Sequence, residues 1–324
     1  MILFLTAMLI GFLLLVWSAD KFVDGASATA KHLGMPTLLI GIIIVGFGTS
    51  APEMVVSATA SLDGNPSLAL GNAIGSNIVN IALILGVTAV IAPISVHSKV
   101  VRKEIPLLLG IILLSGYFLI DYTLTFIEGI ILLVGFFSLI GWSVFSALKA
   151  KKDNFANEIE EELSAHPMSL QMGITWLIVG LVILVGSSKI LVWGAVGIAT
   201  EFGVSDLIIG LTIVALGTSL PELAASIVAV KKGEDDIAIG NVVGSNMFNI
   251  LAVIGIATVI NPMSSISPEV LNRDWIVMLL LTIALFAMVY SSKGNMKSIT
   301  RAQGIFLLCC YVGYNSYLGV LLAG

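Results

Sequence analysis

The chain has 324 residues, of which 58% are hydrophobic and 11% charged, with a mean hydropathy of +1.07. A soluble domain carries about 25% charged residues, so this composition excludes an ordinary water-soluble fold and puts the chain in a lipid bilayer. The formal net charge of −5 marks no partner, and no basic segment reads as nucleic-acid binding.

A span needs about 20 mostly apolar residues. Ten apolar runs follow in chain order, the short ones near 105 and 275 expected to extend at either end: Ile2–Ala19, Thr37–Ser61, Leu68–Ala92, Ile105–Ile120, Leu124–Leu148, Ser169–Val192, Leu207–Val230, Ile237–Ile260, Trp275–Tyr290 and Ala302–Leu322. The expected fold is an all-α integral membrane protein with ten transmembrane helices. The first run lacks a basic n-region and has a counterpart later in the chain, so it is expected to be a span and not a cleaved signal. Between the fifth and sixth runs lies "KKDNFANEIEEELSAHP". It reads as a solvated tether, with a short amphipathic helix as the alternative. Cys309 and Cys310, adjacent in the last run, suggest neither a disulfide framework nor a metal site. His32, His97 and His166 fall in loops or at helix ends and are given no role. Trp17, Trp142, Trp176, Trp193 and Trp275 lie toward span ends, as interface belts do. Asp20 and Asp24 read as groups at the lipid–water boundary.

Two stretches repeat. "GIIIVGFGTSAPEMVVSATASLDGNPSLALGNAIGSNIVNI" from Gly41 aligns without a gap on "GLTIVALGTSLPELAASIVAVKKGEDDIAIGNVVGSNMFNI" from Gly210, at a constant offset of 169. The same offset pairs Gly25 with Gly194 and Pro93 with Pro262. The chain therefore reads as a duplicated five-span unit: residues 1–148, a linker at 149–168, and residues 169–324. Five is odd, so the halves are expected to be inverted in the membrane. Numbering the loops alternately puts 13 Lys and Arg on one side and 2, Lys189 and Arg273, on the other. The richer side is expected to be cytoplasmic. Both termini are then extracellular or periplasmic and the central loop cytoplasmic. Inverted repeats with interrupted helices are the plan of secondary transporters, whose sites lie near the midplane.

Glu53 and Glu222 sit inside these apolar repeats. A charge at bilayer depth costs roughly 2.5–3.5 kcal/mol on insertion scales, so something must offset it. If a helix runs through residues 49–57, Thr49, Glu53 and Ser57 share one face. Pro52 clashes with the carbonyl of Gly48 and loosens the helix there. Carbonyls freed in this way are tolerated only in protein or facing a cavity. A second stripe recurs as Asn72, Ser76, Asn80 and as Asn241, Ser245, Asn249, beside Gly71/Gly75 and Gly240/Gly244 at small-xxx-small spacing. Asn77 and Asn246 fall off the stripe and read as bonds between helices, while Thr49 and Thr218 could bond back to helix carbonyls. The remaining donors are all oxygen, which suits hard cations such as Ca²⁺ or Na⁺ and disfavours Zn²⁺ or copper. Two carboxylates balance one Ca²⁺ or two Na⁺.

The paired GTSxPE and GNxxGSNxxN segments resemble the alpha repeats of the sodium/calcium exchanger family, in the calcium/cation antiporter superfamily, and the likeness covers the whole chain. The resemblance implies exchange of Na⁺ against Ca²⁺ by alternating access, with no enzyme activity and no cofactor beyond the transported ions. It implies Glu53 and Glu222 as carboxylates shared by both ions, and the Thr49 and Thr218 carbonyls as the rest of a central calcium site. Ser50, Ser76 and the Gly46 carbonyl would form one sodium site, with Ser219, Ser245 and the Ala215 carbonyl as its inverted twin. Asn80 and Asn249 would lie in the middle. By the same analogy the first span of each half is the moving part. Some relatives carry Asp where this chain has Asn249, which leaves potassium and proton coupling open. The implied partners are Ca²⁺, Na⁺ and the bilayer, in a prokaryotic plasma membrane, with a monomer sufficient for transport.

The closest rival is a proton/calcium antiporter, against which the serine pairs favour sodium. Potassium-dependent exchange is a second alternative. A passive channel fits poorly with a closed, doubly liganded site. An intramembrane protease using paired carboxylates would need Asp and a GxGD motif, which the chain lacks.

Overall fold

The computed structural model describes residues 1–96, 103–153, 168–202, 215–290 and 297–323, and it is mostly helical. Most of the tether, with its acidic run and His166, lies outside the described residues. So do His97 and the start of the Leu207–Val230 run, Gly210 included. Among the described residues six helices are long and apolar enough to cross a membrane: Ile2–Leu33 (α1), Pro66–Ile91 (α4), Phe126–Phe145 within α6 (Phe126–Asp153), Leu170–Glu201 (α7), Asp235–Ile260 (α10) and Val270–Val289 (α11). A bent pair, Thr37–Thr49 (α2) and Ala51–Leu62 (α3), makes a seventh if counted as one span. Helices Ile105–Phe118 (α5), Ala215–Thr218 (α8), Leu220–Lys231 (α9) and Arg301–Ala323 (α12) complete the set, with a short pair of strands, Ile94–Val96 and Lys297–Ile299.

By packing, the chain forms two compact units, Met1–Pro52 with Phe137–Gly244, and Glu53–Phe136 with Ser245–Gly324. Each unit draws on both halves of the sequence.

In the first unit α1 packs along α7. The approach is so close that a methyl on Gly25 would fall 2.4 Å from the Leu177 backbone nitrogen, and one on Gly194 2.8 Å from the Phe4 carbonyl and 3.1 Å from the Met8 nitrogen. Gly25 and Gly194 are repeat partners, as are Met8 and Leu177. The crossing is therefore two-fold symmetric, and the helices run antiparallel. Small residues are what make such backbone contact possible in lipid. The outer face of α1, with Ile2, Leu3, Leu9 and Leu13, is exposed, as a lipid-facing surface is.

One expectation changes here. Apolar runs ending at Ala19 and Val192 become helices reaching Leu33 and Glu201. Asp20 and Asp24 are ion-paired. Lys232 of the α9–α10 turn pairs with both, at 2.6 and 2.7 Å, and donates to the Asp20 carbonyl at 2.9 Å. Ser27 donates to Glu234, so the polar end of α1 is satisfied by the α9–α10 turn and the helix continues. That turn carries Gly233 at φ 77°, and its repeat partner Gly64 has φ 83°, a conformation open mainly to glycine.

In the second unit the strands pair antiparallel with Ile94 opposite Ile299, and Leu124 bridges to Met263. Trp275 packs against Gly116 and donates from Nε1 to the Ile112 carbonyl at 3.1 Å, so this tryptophan is tied to α5 and is only half-buried.

Gly25→Leu forces a side chain into the Leu177 backbone. Overpacking of this kind costs about 1–3 kcal/mol. The thermal midpoint of the detergent-solubilised protein is expected to fall clearly, whereas Gly141→Ala, at an exposed position with nothing within 4 Å among the described residues, leaves it unchanged.

Candidate cation-binding site

The site residues begin at a helix break that occurs twice. Helix α2 carries a π-helical turn at Gly41–Val45 and ends at Thr49; Ser50 has φ −83° and ψ 0°; α3 then leaves at a 41° bend. Pro52 is the cause, since it has no N–H to give and its ring meets the carbonyl four residues back. The second copy breaks in the same frame, with α8 ending at Thr218, Ser219 at φ −92° and ψ 4°, and Pro221 in the first turn of α9. Thr49, Glu53 and Ser57 are consequently not one continuous helical stripe, as their spacing suggests; the bend falls between the threonine and the glutamate. The break instead puts each glutamate in the first turn of a new helix. A carboxylate is favoured there by the helix dipole, while the preceding C-terminal carbonyls favour a cation.

In the first compact unit Glu222 is 2% exposed, and Ser50 Oγ donates to its Oε1 at 3.4 Å. Thr49, fully buried, places Oγ1 within reach of the Val45 carbonyl at 3.0 Å, the Gly46 carbonyl at 3.4 Å and Asn241 Oδ1 at 3.0 Å. Back-bonding to the helix thus occurs for the Thr49 hydroxyl. Asn241 organises this group: its Nδ2 donates to the Glu222 carbonyl at 3.1 Å and to Ser226 Oγ at 2.9 Å. Gly240 and Gly244 let α10 approach α2, since methyls there would fall 2.8 Å from the Leu38 carbonyl and 2.6 Å from the Ile42 carbonyl. Gly46 and Ser219 are buried, Thr218 is half-buried, and Ala215 opens α8.

In the second unit Glu53 is 1% exposed, and Ser76, Ser245, Asn80 and Asn249 are all buried. Both α4 and α10 turn π-helical here, at Val79–Leu85 and Asn249–Ile254, so Asn80 and Asn249 fall on widened turns. Such turns recur at functional sites. Asn80 Nδ2 donates to Asn246 Oδ1 at 2.9 Å, and Asn249 Nδ2 to Asn77 Oδ1 at 3.0 Å. The oxygens Asn80 Oδ1 and Asn249 Oδ1 accept no hydrogen bond among the described residues. Ser57 donates to the Val253 carbonyl at 2.9 Å.

Spacing alone did not pick out Asn241 as the organiser, or the crossed asparagines. The signal that could have done so is that Asn77 and Asn246 recur at the offset of 169 together with the stripe residues.

A sequence model described as sodium/calcium exchanger protein matches residues 3–145 and 172–320. The chain belongs to the sodium/calcium exchanger family. It is 46% identical to CaxA of Alkalimonas amylolytica, over 96% of this chain and 97% of that one. It is 42% identical to the inner membrane protein YrbG of Escherichia coli, over 95% and 94%. Its fold is similar to that of the sodium-calcium exchanger NCX_Mj, with a TM-score of 0.83 and 32% identity over 97% of this chain and 98% of that one. The exchanger family is one of transporters, and its member here is a multi-pass membrane protein.

Removing the organiser tests this geometry. Asn241→Ala removes the amide donors from the Glu222 carbonyl and Ser226 Oγ, while Thr49 keeps the Val45 carbonyl, and each buried polar group left unsatisfied costs about 1–3 kcal/mol. The thermal midpoint of the solubilised exchanger is expected to drop by several degrees.

Proposed function

We propose that this protein is a sodium/calcium antiporter, moving Ca²⁺ against Na⁺ by alternating access at a midplane site that both ions share. The observation that carries the reading is the recurrence of a buried glutamate in the first turn after a proline-broken helix, once in each half of the sequence. Two carboxylates buried within a membrane protein call for a positive charge, and one Ca²⁺ supplies what two Na⁺ also supply.

The ligand set proposed is Glu53 and Glu222 for both ions, with the Thr49 and Thr218 carbonyls completing the calcium site. Ser50, Ser76 and the Gly46 carbonyl serve one Na⁺; Ser219, Ser245 and the Ala215 carbonyl serve another. Asn80 and Asn249 add neutral oxygens at the centre. The frame proposed is ten helices in two inverted five-helix repeats, 1–148 and 169–324, joined by a cytoplasmic linker, with both termini on the far side. The antiparallel crossing of α1 and α7 supports the inversion.

Exchange follows from sharing. Glu53 and Glu222 cannot neutralise Ca²⁺ and a full set of Na⁺ at once, so each ion displaces the other. Each ion shifts the inward–outward equilibrium only by its difference in affinity for the two states. Occlusion of the neutralised forms alone then couples the two fluxes. Protons are the alternative counter-ion, since a carboxylate pair can carry them; the serine oxygens favour Na⁺.

Equilibrium binding of radioactive Ca²⁺ to the solubilised protein tests this reading. Binding is expected to saturate, to be displaced by Na⁺ at constant ionic strength, and to vanish in Glu53→Gln and Glu222→Gln. Ser50→Ala and Ser219→Ala are expected to retain Ca²⁺ while needing more Na⁺ to displace it. Calcium binding that ignores Na⁺ but is titrated away by protons gives the proton antiporter instead.

A further inference from the structure

Asn77 and Asn246 lie off the stripe of candidate ligands, yet both are fully buried and each touches the central asparagine of the opposite half. Asn249 Nδ2 donates to Asn77 Oδ1 at 3.0 Å, and Asn80 Nδ2 donates to Asn246 Oδ1 at 2.9 Å. The four residues are two repeat pairs joined crosswise. Asn77 is itself fixed, because its Nδ2 donates to the Asn246 carbonyl at 3.2 Å and to the Met278 sulfur at 3.3 Å. Its Oδ1 is therefore the end left for Asn249. The result at both central asparagines is the same: the NH₂ end is held, and the Oδ1 end accepts no hydrogen bond among the described residues.

An amide is useful to a cation only by its oxygen, and turning it over presents two N–H donors and repels the ion. Near neutral pH, with no charge on the side chain, only its hydrogen bonds decide which end faces inward. A flipped Asn249 would set oxygen against the fixed Asn77 Oδ1; a flipped Asn80 would set oxygen against Asn246 Oδ1 unless Asn246, whose Nδ2 has no partner among the described residues, turned with it. We propose that Asn77 and Asn246 are positioning residues, each holding the amide of the opposite half's central asparagine so that its oxygen is turned to the transported ion. This rests on the reading of Asn80 and Asn249 as ion ligands. It assigns to Asn77 and Asn246 a role beyond joining helices: they pre-set the site at neutral positions, where no carboxylate orients itself by charge.

Crossed double variants test it, read by equilibrium binding of radioactive Ca²⁺ to the purified, solubilised protein. Removing an orienting partner of a metal ligand typically weakens affinity about 10- to 100-fold. Asn77→Leu is expected to do so alone and in an Asn80→Ala background, but to add less than about twofold once Asn249→Ala has removed the amide it holds. Asn246→Leu is expected to show the mirror pattern, full in Asn249→Ala and lost in Asn80→Ala. A residue that merely packs helices weakens binding equally in both backgrounds, and that outcome, or no effect at all, overturns the proposal. The thermal midpoint without calcium checks that each variant is folded, and Asn77→Ala, which withdraws the acceptor without an added branched side chain, replaces Asn77→Leu if the latter does not fold. Absence of saturable Ca²⁺ binding in the unsubstituted protein would overturn the ligand reading and this role together. Saturable binding lost in Glu53→Gln, without the crossed pattern, overturns only the positioning role.

Discussion

A carboxylate buried inside an apolar membrane protein is the constraint from which the rest of the arrangement follows. Glu53 and Glu222 are each almost fully withdrawn from solvent, and each lies where a helix has just been broken by proline and started again. The break gives the glutamate a helix N-terminus, with dipole and backbone N–H groups in its favour. It also leaves the C-terminal carbonyls of the preceding segment exposed to partners other than the helix, which lipid does not permit unless protein or a polar cavity takes them up. Threonine, serine and asparagine side chains gather beside Glu222, where Thr49, Ser50 and Asn241 meet, and in the other unit the asparagines of α4 and α10 pair crosswise.

The polar groups need helices that approach very closely, because short side chains reach only short distances. Glycine provides this where α10 meets α2 and where α1 meets α7. The α1–α7 crossing has a two-fold character that the asparagine cross repeats in the second unit. The two copies are nonetheless not identical in detail. Thr49 is fully buried while Thr218 is half-buried, and Asn77 has a sulfur and a carbonyl to hold its amide while Asn246 Nδ2 finds no partner among the described residues.

Much of this was legible in the sequence, and for a physical reason. Duplication at a fixed offset is arithmetic, and a charge within an apolar run is costly enough to stand out. Proline positions foretold the break. What remained hidden depends on backbone geometry and on partners far apart in the chain. The bend at Ser50 interrupts the stripe that i, i+4, i+8 spacing implies. The π-helical turns at Asn80 and Asn249 follow no composition rule, so the side chains they displace could not be assigned a face by counting. Asp20 and Asp24 looked like the end of a span because their partner, Lys232, is more than 200 residues away. Asn77 and Asn246 looked like ordinary polar contacts because their effect lies in which end of another amide they hold.

The central claim is that calcium and sodium move in opposite directions, the gradient of one driving the other. It is tested most directly by radioactive calcium uptake into proteoliposomes loaded with Na⁺ and diluted into Na⁺-free buffer, beside vesicles carrying only a pH gradient. The account predicts uptake that requires internal Na⁺, ignores the pH gradient and is absent when Glu222 is replaced by Gln. Uptake that follows the pH gradient and is indifferent to Na⁺ would contradict it, and would leave the serine oxygens at Ser50, Ser76, Ser219 and Ser245 with a purely structural part.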